Sequence, residues 1–169
     1  MKIIFNPAFV IVISLLVGAA TVSASTVKVG EPAPKLELPN LAGTGSVSLE
    51  QYKGKVVYLD FWASWCAPCR KSFPHFQLMR EELGQFGFEI LGVNVDENVK
   101  DAKSFLEKIH VDFPILLDPQ GNSAETFGLT GMPTSYLIDQ QGIVRMVHQG
   151  FKEKDIRIIK QKINKLLAR

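Results

Sequence analysis

Asp60-Phe61-Trp62-Ala63-Ser64-Trp65-Cys66-Ala67-Pro68-Cys69 holds the only two cysteines of a 169-residue chain. They stand three positions apart, where an apolar run ends and a helix-like pattern begins. Side chains at i and i+3 of a helix share a face, so Cys66 and Cys69 can meet without straining the backbone. The start of a helix also presents unpaired N–H groups and a positive dipole end, which favour a thiolate over a thiol. Thiolates are the attacking species in disulfide exchange. A strand-to-helix corner with two thiols at its helical start is therefore built to exchange disulfides. As a staple the pair would close a tiny loop and constrain the unfolded chain very little, so stability is a poor reason for it.

Upstream, Met1-Lys2 opens with one positive charge and an apolar stretch runs from Ala8 to Ala20, broken only by Ser14. Thr21-Val22-Ser23-Ala24 then offers small residues for a signal peptidase, so residues 1–24 read as a secretory signal cleaved after Ala24. The apolar core is short for a membrane span, which wants about 20 residues. The alternative is a retained N-terminal anchor that tethers the protein to a membrane. No cysteine lies near the cut, which excludes lipid attachment there. Residues 25–169 are then of a size for one domain, with eighteen basic and seventeen acidic residues. That balance argues against nucleic acid and against a strongly basic membrane patch. A periplasmic or otherwise extracytoplasmic location follows, and exported proteins more often use cysteines as spaced staples than as one adjacent pair.

Along the remaining chain, Val29 to Pro34 is an extended, Pro-rich lead-in, and Leu36–Leu38 with Val47–Leu49 forms a hairpin around Gly43-Thr44-Gly45. Val56 to Trp62 is apolar on both faces, as a central covered strand should be. The spacing predicts a helix from Ala67 to about Gly84, kinked at Pro74. Phe88–Val95 is the next buried strand, Val99–His110 a helix, Ile115–Asp118 a short strand, and Ser123–Phe127 a short helix ended by Gly128. Thr134–Asp139 and Ile143–Val147 flank Gln140-Gln141-Gly142 as an antiparallel hairpin. A closing helix, about Lys152 to Leu167, places Ile156, Ile159, Ile163, Leu166 and Leu167 on one stripe. Strands alternating with helices give an α/β sheet covered on both faces. Because a hairpin cannot join parallel strands, the sheet is expected to be mixed.

At Asp60 to Cys69, with Trp62 and Trp65 before the cysteines, and again at Gly131-Met132-Pro133-Thr134, the sequence resembles the thioredoxin superfamily. The lead-in, Phe73-Pro74 and the strand end Val93-Asn94-Val95-Asp96 make it similar to the TlpA/ResA/DsbE-type branch of exported thiol–disulfide oxidoreductases. The resemblance covers nearly everything after the leader. It implies a thioredoxin fold with a central mixed sheet and an N-terminal hairpin extension, and no cofactor. It also implies a cis Met132–Pro133 bond beside the cysteines, with the Met132 backbone free to pair with an extended substrate. Trp65, Pro68, Met132 and Pro133 are accordingly the expected substrate-binding residues. Implied partners are exported proteins that contain cysteines, and a membrane thiol electron donor that re-reduces the pair.

Cys66, at the helix start, is expected to attack, and Cys69, one turn in and more shielded, to resolve the mixed disulfide. Asp60 is an acid inside an apolar strand, so its pKa should be raised, and it could pass a proton to or from Cys69. Thioredoxin itself, which the sequence resembles here, has an Asp at this place. One departure stands out: many branch members carry a Glu three residues after the second cysteine, where this chain has Ser72. That leaves open the cytochrome c maturation role known for parts of the branch. Neither Ala67 nor Pro68 supplies a cation or side-chain donor to a Cys66 thiolate, which predicts a reducing protein rather than a strong oxidant.

Two rival functions remain. A thioredoxin-fold peroxidase carries Thr or Ser three residues before its reactive cysteine and a Pro a little earlier; position 63 is Ala, and only Pro39 lies between Lys35 and Cys66. A metal- or haem-assembly module would use the two cysteines as ligands. As half of a zinc site they would need two of His75, His110 and His148, none at a metal-like spacing, so no metal is expected.

Overall fold

In the computed structural model, which describes residues 27–167, Val56–Trp62 is buried at every position and lies at the centre of a five-stranded sheet. The expected leader, its cleavage site and any tether fall outside the described residues. In chain order the elements are β1 (Glu37–Pro39), β2 (Ser46–Ser48), a 3₁₀ turn (Leu49–Tyr52), β3 (Val56–Trp62), α1 (Ala67–Leu83), β4 (Phe88–Asn94), α2 (Val99–Leu106), β5 (Ile115–Leu117), α3 (Asn122–Phe127), β6 (Thr134–Ile138), β7 (Val144–Gln149) and α4 (Asp155–Leu167). The sheet order is β5-β4-β3-β6-β7, parallel on the β5 and β4 side and antiparallel on the β6 and β7 side. β1 and β2 form a separate antiparallel pair. Among the described residues no helix is long and apolar enough to cross a membrane.

Alternation along β3 splits the core into two layers. Tyr58 and Trp62 face α1, α2 and α4, through Phe73 and Phe76, Phe105, and Ile159 and Ile163 respectively. Val57, Leu59 and Phe61 face α3 and the N-terminal hairpin, where Phe127 and Tyr136 close the layer. The two layers cover β3 on both sides, which is why its sequence is apolar at every position but Asp60. The lead-in does not lie loose. Gly30 N–H donates to Val144 C=O at 2.8 Å and Ala33 N–H to Gly142 C=O at 2.9 Å, which ties it to the edge of β7.

α1 continues through Pro74. α2 is a turn shorter than its periodicity predicts, ending at Leu106 rather than His110. The chain leaves the helix through turns at Glu107 and Lys108 and brings Phe113 under the sheet, 5.4 Å from the Phe73 ring. Ile109, which extended the apparent stripe, packs on the same core from outside the helix. Tertiary burial of Phe113 thus overrides the local pattern.

Gly92, paired with Asp60 across the β3–β4 ladder, shows how tightly the first layer is filled. A Cβ there would lie 2.9 Å from Ile115 Cδ1, 3.2 Å from Trp62 Nε1 and 3.3 Å from Phe113 Cε2. Gly92→Ala should therefore destabilise the protein by about 1–2 kcal/mol, the overpacking cost net of the smaller gain from a stiffer unfolded chain. Urea unfolding with an unchanged m-value would register this; a more stable variant would contradict the packing described.

Candidate active site

The strand-to-helix corner is assembled from β3, the turn 63–66 and the first turn of α1. Trp62 ends β3 with its indole inside the first layer, its ring centroid 4.8 Å from those of both Phe73 and Phe105. This aromatic floor fixes the height of the turn above it. Asp96, 4% exposed, holds the turn from the side. Its carboxylate accepts from Ser64 N–H at 3.0 Å, from Ser64 Oγ at 3.0 Å and from Asn94 Nδ2 at 2.8 Å. Sequence reading placed Asp96 only as a strand end. The available signal was its position just past the carboxyl end of a central parallel strand, where α/β folds gather their sites.

Cys66 occupies the N-cap of α1, and Cys69 N–H donates to its Sγ at 3.3 Å. The two sulfurs are joined in a disulfide, with Cα atoms 5.3 Å apart. The helix start thus aims an amide at the sulfur that would carry the thiolate. Cys69 is fully buried and Cys66 is 4% exposed. Cys66 is less open to solvent than a helix start suggests, because it belongs to the same core layer as Cys69, a layer against which Met132 also packs. Trp65, by contrast, is 68% exposed. Pro68 is half-buried in the first turn of α1, where its missing N–H costs nothing.

From the other side, the Met132–Pro133 bond is cis. Pro133 is buried and its carbonyl accepts from Gly150 N–H at 2.8 Å, while Thr134 Oγ1 donates to Gly131 C=O at 2.7 Å. Among the described residues the Met132 N–H and C=O take part in no backbone hydrogen bond. Ser72 is buried, its hydroxyl donating to Cys69 C=O at 3.0 Å.

Asp60 lies 1% exposed beneath this corner, on the face of β3 that looks toward α1. Ser135, its partner in the β3–β6 register, donates from Oγ to Asp60 Oδ1 at 2.5 Å. Asp60 Oδ2 has no hydrogen-bond partner among the described residues. Burial pushes the carboxyl up from its ordinary 3.8 to about 7, and the Ser135 hydrogen bond offsets part of the rise. An acid poised near neutrality can take and return a proton at working pH. Ser135 was not foreseen, since a single hydroxyl in an apolar strand gives no sign of what it faces.

The three histidines do not converge on the thiols as a site: His75 stacks on Phe151, His110 is exposed, and His148 lies on β7 near Asp155. Among the described residues no group of three or more His, Cys, Asp or Glu side chains is placed to hold a metal.

Residues 29–147 match the AhpC/TSA family. The chain belongs to that family, and within it to the thioredoxin-like thiol–disulfide oxidoreductases. The narrower placement comes from its relatives. It is 35% identical over 131 residues to the thiol-disulfide oxidoreductase ResA of Geobacillus thermodenitrificans, covering 78% of this chain and 75% of that one. It is similar in structure to a Chlorobium tepidum protein assigned as thiol:disulfide interchange protein DsbE, with a TM-score of 0.82 and 41% identity over 85% of this chain and all of that one. A third likeness is to the exposed lipoprotein thioredoxin Etrx1 of Streptococcus pneumoniae, with a TM-score of 0.67 and 34% identity over 79% of this chain and all of that one. This thiol–disulfide oxidoreductase therefore has the thioredoxin fold, and its class acts on cysteine-containing proteins.

Proposed function

We propose that this oxidoreductase works outside the cytosol as a reductant of partner disulfides, with residues 25–169 acting as one unit after the leader is removed. Cys66 thiolate attacks a partner disulfide, forming a Cys66–partner bond and releasing one partner thiolate, which takes up a proton. Asp60 carboxylate then accepts the Cys69 proton, and Cys69 sulfur attacks Cys66 Sγ. The second partner thiolate leaves and the Cys66–Cys69 disulfide closes. Two electrons have passed from the dithiol to the partner, and a thiol donor on the membrane side returns them. Trp65 offers an exposed apolar contact, and the Met132 backbone pairs with the partner's extended chain beside Pro133.

The observation that carries the reducing direction is the environment of Cys66 Sγ. One amide reaches it, from Cys69, and Pro68 supplies none. A strong oxidant needs a reduced form that is specially stabilised, and a single neutral donor does not provide that. The reduction potential should lie below about −180 mV, toward thioredoxin at about −270 mV. Equilibration with glutathione redox buffers measures it; a value above −180 mV would reverse the assigned direction. Export is supported by the charged, apolar and small-residue order of residues 1–24. Service in cytochrome c maturation is the narrower form of this proposal, with Ser72 and not a carboxylate beside the second cysteine.

The family match raises the peroxidase alternative, yet Ala63, which stands where peroxidases carry a hydroxyl, is fully buried. Residue 63 therefore offers no hydroxyl to a peroxide oxygen.

A further inference from the structure

Asp60 must lose the proton it takes from Cys69 before it can act again, and it is sealed on every side. Its neighbours across the sheet are polar, where most of that layer is not. Asp60, Ser135 and His148 are successive register partners across β3, β6 and β7, so their side chains stand in one row on one face. Tyr58, two residues before Asp60, shares that face; burial and then the Asp60 charge push its hydroxyl's pKa up, and Ser135 offsets part of the rise. At the outer end His148 Nε2 lies 3.4 Å from Asp155 Oδ2, which also accepts from Lys152 N–H at the start of α4. His148 and Asp155 are each partly open to solvent.

Two buried atoms in this row have no hydrogen-bond partner among the described residues: Asp60 Oδ2 and Tyr58 Oη. An orphaned buried polar atom costs about 1–3 kcal/mol, and clusters of them are where proteins hold internal water. Around these two atoms the layer is mainly aromatic and aliphatic, with Asn94 and Ser72 as further buried polar residues. The other titratable groups of this layer are Tyr58 on the same strand, Cys69 from α1, and the His148–Asp155 pair at the end of the row. β4 contributes Gly92 and β6 contributes Ser135, neither of which titrates.

We propose that Tyr58, Ser135 and internal water connect Asp60 to His148, making a proton path that leaves the site sideways through the sheet, with His148–Asp155 as its surface end. The proposal rests on the proton role given to Asp60 above. The proton that Asp60 accepts from Cys69 passes along the hydroxyls and water to the His148 imidazole and then to solvent. No electrons move along the path. Imidazole suits the outer end because its two ring nitrogens can take a proton on one side and give it up on the other. His148 is a positioning and relay residue here, since it touches neither sulfur nor partner.

The test is oxidation of the reduced protein by glutathione disulfide, followed by tryptophan fluorescence in dilute buffer from pH 6 to 9. His148→Gln should slow the resolving step roughly three- to tenfold, below the ~100-fold that a direct proton partner supplies. Adding free imidazole should restore the rate, which a packing defect would not allow. Tyr58→Phe, isosteric and unable to relay, should slow the same step without imidazole rescue. Asp60→Asn separates the two claims. If it slows resolution while His148→Gln and Tyr58→Phe run at the wild-type rate, the path is wrong and the role of Asp60 stands. If Asp60→Asn itself runs at the wild-type rate, the role of Asp60 fails and the path with it. A slowed His148→Gln that imidazole does not restore would also overturn the path. So would a high-resolution crystal structure with no ordered water bonded to Asp60 Oδ2 or Tyr58 Oη.

Discussion

Cys66→Ser should show no disulfide reduction above background in an insulin-reduction assay, and Cys69→Ser should behave differently. The first removes the only sulfur held at the N-cap with an amide aimed at it, and a serine hydroxyl does not ionise to replace it. The second keeps the attacking sulfur but removes the one that resolves. Cells carrying Cys69→Ser should accumulate mixed disulfides through Cys66, visible as bands that a reductant collapses. Mass spectrometry of those adducts would name the partners. Equal residual activity in the two variants, or adducts formed by Cys66→Ser through Cys69, would invert the roles. Folding should survive both changes, since the bond closes too short a loop to stabilise the chain much.

Asp60→Asn should raise stability at alkaline pH while lowering activity. The carboxyl titrates near 7 in the folded protein against 3.8 ordinarily, so the folded state holds its proton more tightly than the unfolded state. Stability on this account is highest at low pH, where both states are protonated at this group. It falls as pH rises from about 4 to about 7 and is level above that. The loss approaches about 4 kcal/mol at pH 8, as an upper figure. Asparagine has no such titration and can still accept from Ser135. Urea unfolding should therefore show variant and wild type close together at pH 4 and the variant more stable by about 2–4 kcal/mol at pH 8. Its resolving step should slow by about 100-fold near neutrality. A wild-type stability that climbs with pH over that window would mean the carboxyl is not buried as described.

The order of strands and helices could be read from the sequence because each central strand is covered on both sides and each surface helix on one. Those patterns are local, so Val56–Trp62 and the stripe Ile156, Ile159, Ile163 show themselves without a structure. The end of α2 did not, because the pull of Phe113 toward Phe73 acts between residues forty apart in the chain and outweighs the helical spacing of Ile109. The site divides in the same way. Cys66 and Cys69 declare themselves by spacing, and burial of Asp60 follows from its apolar strand. What clamps the turn and what faces the acid come from other strands. Asp96 and Ser135 reach their partners from 32 and 75 residues away, and no window of sequence holds both ends of such a bond. The near-closure of Cys66 is likewise a product of its membership in the buried core layer, not of its place at a helix start.

The central claim is that Cys66 is the sulfur that ionises and attacks. Reduced protein should be treated with limiting iodoacetamide across pH 5 to 9, and each alkylated cysteine quantified by mass spectrometry. The account predicts that Cys66 is modified first, with a midpoint below the ordinary thiol value of about 8.5, and that Cys69 lags throughout. Preferential labelling of Cys69, or a Cys66 midpoint at or above 8.5, would contradict it.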